Sequence, residues 1–377
     1  MKIYFWPSEN KENKYIENFL NGLSASGVEN VNKPCNSFVG KIFSALMALL
    51  NPDVKIYHFN WIENFSVENT LKSKIKICLL KFFLWYGNLV GKRFVWTMHN
   101  TIPHKCKSES DIREAKRFFR DWIPQMDLIV VHAMETKKIL QEEYNYPESQ
   151  ILYIPHGRYE HIAVSKEEKQ DFKREYGIRD KEVVFLLFGL IDEYKNVPLL
   201  IKVFRELSLP NAKLMICGRY ADNLSVESRG KIKEAKAYGN ISVVDRFIKE
   251  EELPRFLECA DVVVLPYKKM SMQNSGAAIL AMSYYKPVIV SRFGYIKDIS
   301  GFSFVYSYEY DSEDMHFVVL KDKIQQFYED WVCTGQNKEI YEEEKAYVSS
   351  ELDWKNICQR VADRYKNLAN GGCERGR

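Results

Sequence analysis

The sequence predicts an α/β chain built as two successive doubly wound parallel-sheet domains. Three observations carry this. Apolar runs of strand length alternate with segments of helical spacing almost throughout the 377 residues, as parallel βαβ units require. The alternation breaks once, at about residues 157–170, and then restarts. The length alone suggests two or three domains of roughly 150 residues.

The elements follow in order. Lys2–Trp6 is a short apolar strand, and Asn10–Leu23 carries Tyr15, Ile16, Phe19, Leu20 and Leu23 at helical spacing. Phe38–Leu50 reads as a buried helix stopped by Asn51-Pro52. Val54–Phe59 is a strand, Leu71–Leu89 a helix and Arg93–Met98 a strand. Ser110–Trp122 is a helix with Asp111 and Glu114 in its first turn. Strands at Leu128–His132 and Ile151–Ile154 flank a helix at Glu135–Glu143. After the break, strands are expected at Glu182–Phe188, Ala212–Cys217, Ile241–Val244, Asp261–Leu265 and Pro287–Val290, with helices between them. Trp354, Ile357, Val361, Tyr365 and Leu368 mark a last helix.

Composition excludes several classes. Hydrophobic residues make up 46% and charged residues 28%, which rules out disorder and coiled coil as the main architecture. A net charge of +3, with no nucleic-acid motif, argues against a nucleic-acid partner. The richest apolar stretch, Ile75–Val90, is interrupted by Lys76, Lys81 and Asn88, so no span of about 18 apolar residues exists. The N-terminus turns polar after Trp6, too soon for a signal peptide, and a cytoplasmic location is expected. The eight cysteines form no C-x-x-C pair and read as reduced thiols.

In open α/β sheets, ligands bind outside the carboxyl ends of the strands. His58, His99 and His156, three of the seven histidines, each stand at or just after a strand of the first half, and His104 lies close behind His99-Asn100. A lone histidine there is usually structural, but several converging on one edge suit proton transfer or hydrogen bonding to a substrate hydroxyl. No carboxylate joins them at ligand spacing, so no metal is expected. In the second half, Gly189 ends a strand and Lys195 opens the next helix, a place suited to phosphate as well as to a plain surface lysine. Asn274-Ser275-Gly276 starts a helix of small residues whose first-turn amides an anion can approach; close packing on the sheet would use the same residues.

These blocks, in this order, resemble GT-B glycosyltransferases related to family 4, in particular the bacterial exopolysaccharide branch. The resemblance rests on VWTMHN (95–100) with Pro103-His104, IPHGRY (154–159), FGLIDEYKN (188–196), ADVVVLPY (260–267) and NSGAAILAMSYYKPVIVS (274–291). It implies two Rossmann-like domains, 1–160 for the acceptor and 161–350 for a nucleotide-sugar donor, facing across a cleft. It also implies a crossover helix, 351–377, returning to the first domain. Carried over by position, Lys195 beside Gly189 contacts the donor diphosphate. Asn274, Ser275 and Gly276 receive that diphosphate on a helix start, with Gln273 beside them. Gly218 and Arg219 lie near the base and ribose. His99, with Asn100, lies by the donor sugar and the attacking hydroxyl. His58, His104, His156 and Arg158 fall on the acceptor side.

The sequence departs from the family pattern in three places. Met272 and Leu280 stand where two glutamates are usual, Leu190 where an arginine is usual, and Asn60 replaces a histidine in His58-Phe59-Asn60-Trp61. The missing glutamates keep open a second reading, a non-catalytic GT-B paralogue acting as a partner or sugar-binding subunit. The expected activity is a hexosyl transfer from a nucleotide sugar to a saccharide or polyprenyl-diphosphate-linked acceptor. No D-x-D motif is present, since Asp311-Ser312-Glu313-Asp314 does not fit. Protein cations would then replace a metal ion, with no cofactor; retention lets the departing phosphate oxygen take the acceptor proton, whereas inversion needs a base, for which His99 or a first-domain carboxylate is the candidate. Residues 70–108 hold eight basic residues and no Asp or Glu, interleaved with Phe82, Phe83, Trp85 and Tyr86. That pattern suits peripheral contact with the anionic inner face of a membrane, or a core helix with a solvated basic rim.

Overall fold

The computed structural model describes all residues except 11–13, 36–37, 67–70, 103–105, 107, 269–272, 336 and 372–377. It divides into two compact units. The first takes the chain up to Gly157, then Gln273 and Asn274, then the stretch from Ser350. The second runs from Arg158 and resumes at Ser275.

The first unit is one parallel sheet. Its strands are β1 (Lys2–Trp6), β2 (Glu29–Asn30), β3 (Val54–Asn60), β4 (Arg93–Met98), β5 (Leu128–Val131) and β6 (Ile151–Tyr153), in the order β2-β1-β3-β4-β5-β6. Strand order reverses between β1 and β3, where Phe5 pairs with His58. The helices are α1 (Tyr15–Ala25), α2 (Phe38–Leu50), α3 (Leu71–Leu89), α4 (Glu109–Trp122) and α5 (Met134–Tyr144). Ser108 and Asp111 close a capping box that starts α4, one residue earlier than the sequence suggests. One face of the sheet is covered by α1 and by the C-terminal helix Trp354–Ala369, whose Cys358 thiol donates to the Phe19 carbonyl at 3.4 Å. Tyr15, Ile16, Phe19 and Leu23 recur at helical spacing and are all buried there.

One expectation needs correcting. α2 is not a buried helix. Ala48 and Leu49 face the core, but Phe43, Met47 and Leu50 are 63%, 51% and 64% exposed. On α3, Phe83 and Leu84 are buried while Phe82, Trp85 and Leu89 are exposed. A helix apolar all round normally signals full burial; here α2 meets the sheet with one side only.

The second unit repeats the plan. Its strands are β7 (Val183–Phe188), β8 (Ala212–Cys217), β9 (Ile241–Val244), β10 (Val262–Leu265), β11 (Val288–Ser291) and β12 (Val305–Tyr308), ordered β12-β11-β10-β7-β8-β9, all parallel. The order reverses between β7 and β10. Its helices are α6 (Lys166–Glu175), α7 (Val197–Leu207), α8 (Val226–Ala235), α9 (Leu253–Cys259), α10 (Gly276–Ser283), α11 (Gly294–Asp298), α12 (Glu313–Thr334) and α13 (Lys338–Ser350). Every side chain of β7 is buried, as a central parallel strand requires. Ser312 caps α12 through the Met315 amide, so the acidic run at 311–314 is a helix start.

Candidate active site

In the second unit the strand-order switch sets the chain just after β7 beside the chain just after β10. Gly189 follows β7 with φ +90°, a conformation that glycine adopts freely. Gly218 follows β8 with φ +146°, and a Cβ there would lie 1.9 Å from the Gly189 carbonyl oxygen. Two glycines are therefore needed for the two strand ends to approach this closely. Lys195 folds back beneath them. Its ammonium donates to the Phe188 carbonyl at 2.5 Å, and the residue is only 4% exposed. Burial pushes its pKa down to about 8. Among the described residues no carboxylate lies within ion-pair reach of it. A buried cation without a counter-ion is costly unless an anion arrives to complete it.

The helix start after β10 provides further donors. Ser275 caps α10 by accepting from the Ala278 amide at 3.2 Å and shares a 3.0 Å hydrogen bond with the Tyr267 hydroxyl. Its side chain is thus committed to holding the turn. The Gly276 and Ala277 amides remain as open first-turn donors at the positive end of the helix. A Cβ on Gly276 would lie 3.3 Å from the Tyr159 hydroxyl. Arg219 is exposed, and its carbonyl accepts from the Ile191 amide at 2.9 Å. Arg158 belongs to this second unit, not to the acceptor-side half in which the sequence put it. Gln273 and Asn274, by contrast, group with the first unit. Gln273 accepts from the Thr136 hydroxyl at 2.8 Å and donates to Thr101 Oγ1 at 3.3 Å.

The first unit gathers imidazoles around Tyr15. The Tyr15 ring centroid lies 5.0 Å from His99, 5.6 Å from His132 and 5.0 Å from His156. His99 is half-buried, stacks on Trp61 at 4.5 Å, and its Nε2 lies 3.1 Å from Asn60 Oδ1. That carbonyl selects the tautomer protonated at Nε2 and leaves Nδ1 as an acceptor. Asn60 Nδ2 is buried, with no hydrogen-bond partner among the described residues. Burial, then the neighbouring imidazoles of His132, His156 and His58, hold the His99 pKa well below the usual histidine value. His99 is therefore a neutral hydrogen-bonding group at neutral pH. Asn100 beside it is 6% exposed.

Two expectations for the acceptor side change. His58 is fully buried between the Tyr365 hydroxyl, in a short hydrogen bond, and Thr97 Oγ1 at 2.6 Å. Desolvation lowers its pKa to about 3. With both nitrogens engaged it braces the core and touches no acceptor. His156 is 5% exposed, bonds the Gly157 carbonyl at 2.7 Å, and has its pKa lowered to about 3 by burial; it too is internal. His104 lies outside the described residues.

Sequence reasoning missed Glu63. It sits on the short turn Ile62–Ser66 and is fully buried. It accepts from the Trp96 indole at 3.2 Å and from the His99 amide at 3.3 Å. Desolvation raises its pKa to about 7, against those hydrogen bonds and one from Asn100, which lower it. The carboxyl thereby fixes the end of β4 that carries His99 and Asn100. The only signal was a carboxylate inside the aromatic run FNWIENF.

Among the described residues no helix is long and apolar enough to cross a membrane, and no group of three or more His, Cys, Asp or Glu is placed to hold a metal ion. Comparison with known proteins agrees with this architecture. Residues 168–332 match the family described as glycosyl transferases group 1. The chain is 28% identical over 285 residues, 72% of each chain, to GDP-mannose:glycolipid 4-beta-D-mannosyltransferase of Xanthomonas campestris pv. campestris. It is 24% identical over 262 residues, 66% of this chain and 65% of the other, to lipopolysaccharide 1,2-N-acetylglucosaminetransferase of Salmonella typhimurium. In fold it resembles Anabaena HepE in complex with UDP, with a TM-score of 0.67 at 13% identity over 97% of this chain and 100% of that one. Residues 168–332 are a glycosyl transferases group 1 region, and the chain that carries them is a hexosyltransferase of the GT-B fold, with two Rossmann-like α/β units.

Proposed function

We propose that this enzyme transfers a hexose from a nucleoside diphosphate sugar to a hydroxyl of a saccharide or polyprenyl-diphosphate-linked acceptor, in the synthesis of a surface polysaccharide or glycolipid, as in the exopolysaccharide branch of family 4. One observation carries the donor half of this reading: the Lys195 ammonium is buried at the end of β7 with no carboxylate in ion-pair reach among the described residues, beside two glycines whose backbone is left bare. A diphosphate is the anion that such a place accepts. The relatives' names, a GDP-mannose enzyme acting on glycolipid and a lipopolysaccharide transferase, support the acceptor class.

The reaction forms a bond from the acceptor oxygen to the anomeric carbon and breaks the bond from that carbon to the phosphate. Charge develops on the departing phosphate, where Lys195 and the Gly276 and Ala277 amides stabilise it without a metal ion. His99, neutral and poor at holding a proton, positions the incoming hydroxyl. The acceptor proton then goes to the departing phosphate oxygen on the same face, and configuration is retained. The exposed apolar residues Phe43, Met47, Phe82 and Trp85 extend the basic segment 70–108 into a surface suited to peripheral contact with an anionic membrane.

The test is a thermal-shift panel of nucleoside diphosphates and nucleotide sugars, with and without EDTA, followed by turnover. A ligand at a hundred times its Kd adds about 2.7 kcal/mol. A shift with one nucleotide, unchanged by EDTA and lost in Lys195→Ala, supports the reading. No shift with any nucleotide favours the non-catalytic paralogue, for which Met272 and Leu280 speak. The anomeric configuration of the product, read by NMR, decides the stereochemistry. The Xanthomonas relative is named for a β-linked mannoside; a β product here from an α-linked donor means inversion and overturns retention.

A further inference from the structure

The second unit holds a cavity of about 520 Å³ at the amino ends of its strands, where Asp261, Pro287 and Tyr306 stand at or near the starts of β10, β11 and β12. Gly189, Lys195 and Gly218 belong to the carboxyl ends, roughly 15 Å away at the ~3.3 Å rise per strand residue. The cavity is therefore separate from the site described above. Its volume is that of a small-molecule pocket.

Four carboxyl groups line it: Glu258, Asp261, Asp330 and Glu344. Three are already engaged. Glu258 accepts from His161 Nε2 and from Lys169 Nζ, each at 2.5 Å. Asp261 accepts from the Val184 amide at 2.8 Å, and Asp330 from the Tyr306 hydroxyl at 3.1 Å. Glu344 is different. It is fully buried, and among the described residues neither carboxyl oxygen has a hydrogen-bond partner. Burial holds its pKa well above the usual glutamate value, against the opposing pull of Lys286. Such a group costs stability unless a ligand satisfies it.

The charge of the walls restricts that ligand. Lys169, Lys286 and Lys338 also line the cavity, facing the four carboxyl groups. A cation would meet three ammonium groups, and an anion would meet the Glu258 carboxylate, whose pKa, against burial, its partners Lys169 and His161 hold below the usual value. A neutral ligand with hydroxyl donors meets neither penalty.

The aromatic wall points the same way. α10 ends in a Schellman pair: the Tyr285 amide bonds the Met282 carbonyl at 2.8 Å and the Lys286 amide bonds the Ala281 carbonyl at 3.1 Å. The residue between, where glycine is usual, is Tyr285 with φ +53°. Left-handed backbone costs a side-chain-bearing residue about 1 kcal/mol. The Tyr285 ring lines the cavity and meets the Tyr341 ring at 5.5 Å, close to perpendicular, with Trp331 on the same lining. Aromatic faces beside an uncommitted carboxyl group suit the apolar face and the hydroxyl rim of a pyranose.

We propose that this cavity is a second, non-catalytic saccharide-binding site, with Glu344 bonding sugar hydroxyls and Tyr285, Tyr341 and Trp331 packing on the ring.

The test uses the full chain and six probes: D-glucose, D-mannose, D-galactose, N-acetyl-D-glucosamine, maltose and cellobiose. Binding is read by saturation-transfer NMR and by tryptophan fluorescence. We expect at least one probe to bind with a Kd of about 1–10 mM, near −4 kcal/mol at the weak end of specific recognition. Affinity should fall at least tenfold in Glu344→Ala and in Tyr285→Gly. Glycine suits the left-handed position, so Tyr285→Gly keeps the fold even if Glu344→Ala does not. Lys195→Ala and saturating UDP or GDP should leave the binding unchanged. Absence of binding by all six probes, displacement by a nucleotide, or full affinity in Tyr285→Gly would each overturn the proposal. Because nucleotide binding is scored separately, failure here and failure of the donor reading are distinguishable.

Discussion

A Cβ at Gly189 would stand 2.9 Å from the Lys195 ammonium. Backbone and cation are thus fitted to each other at the end of β7, and the residue at 189 has neither the φ nor the space for a side chain. Gly189→Ala should therefore cost about 1–2 kcal/mol from the left-handed backbone alone. It should also weaken nucleotide binding at least tenfold, read by calorimetry against a denaturation curve.

Lys195→Met should separate activity from stability. Removing the cation we propose for the leaving group should cost roughly 10²–10³ in kcat. The fold should become more stable, because a buried cation is removed. The sign follows from the lowered pKa of about 8. Between about pH 8 and the ordinary lysine range the unfolded chain binds more protons, so stability rises with pH there. That rise should be absent in Lys195→Met, measured by urea unfolding across pH 7–11.

Glu63 carries the opposite slope. Its pKa of about 7 lies above the ordinary carboxyl value, so the folded protein binds more protons between about pH 4.5 and 7. Stability should fall as pH rises through that window, and Glu63→Gln should flatten the fall. Glu63→Ala frees the His99 amide and the Trp96 indole. A misplacement near 1 Å can cost about 10²-fold. We expect kcat to drop by about that factor while nucleotide affinity, which we propose the second unit carries, stays unchanged.

Membrane contact through α2 and α3 has a direct check. Trp85→Glu with Phe43→Glu removes two side chains that are 62% and 63% exposed. Sedimentation with vesicles of anionic lipid should fall several-fold, while activity on a soluble acceptor analogue and the melting temperature hold. Equal sedimentation of the double variant and the parent would rule that surface out.

Most strands and helices of this fold were legible because parallel strands are written as short apolar runs between helical periods. The places of Lys195, in the turn between β7 and α7, and of Ser275, at the start of α10, were legible too, while their part in donor binding rests on the proposal above. The apolar spacing of α2 does not reveal its exposure, because such spacing looks the same whether a helix lies within a core or on its rim. The roles of His58 and His156 were misread because position at a strand end says nothing about direction: both point among Tyr15, Tyr365 and their neighbours, and their nitrogens are used inside. Glu63 was invisible since its meaning comes from Trp96 and His99, more than thirty residues later. Tyr285 reads as one more aromatic until its backbone angle is seen. β12 and α12 were passed over because Ser307 and the charged face of α12 blur both periods.

The bond from the Cys358 thiol to the Phe19 carbonyl spans 339 positions of sequence. Synthesis at ~5–20 residues per second puts roughly 20 to 70 seconds between the two partners. Throughout that interval the apolar side of α1 has no lid. The second unit, largely contiguous in the chain, can mature in the meantime. The nascent N-terminal sheet is therefore the last part to close, and it is the part that a chaperone, or an acidic lipid surface nearby, has the longest time to meet.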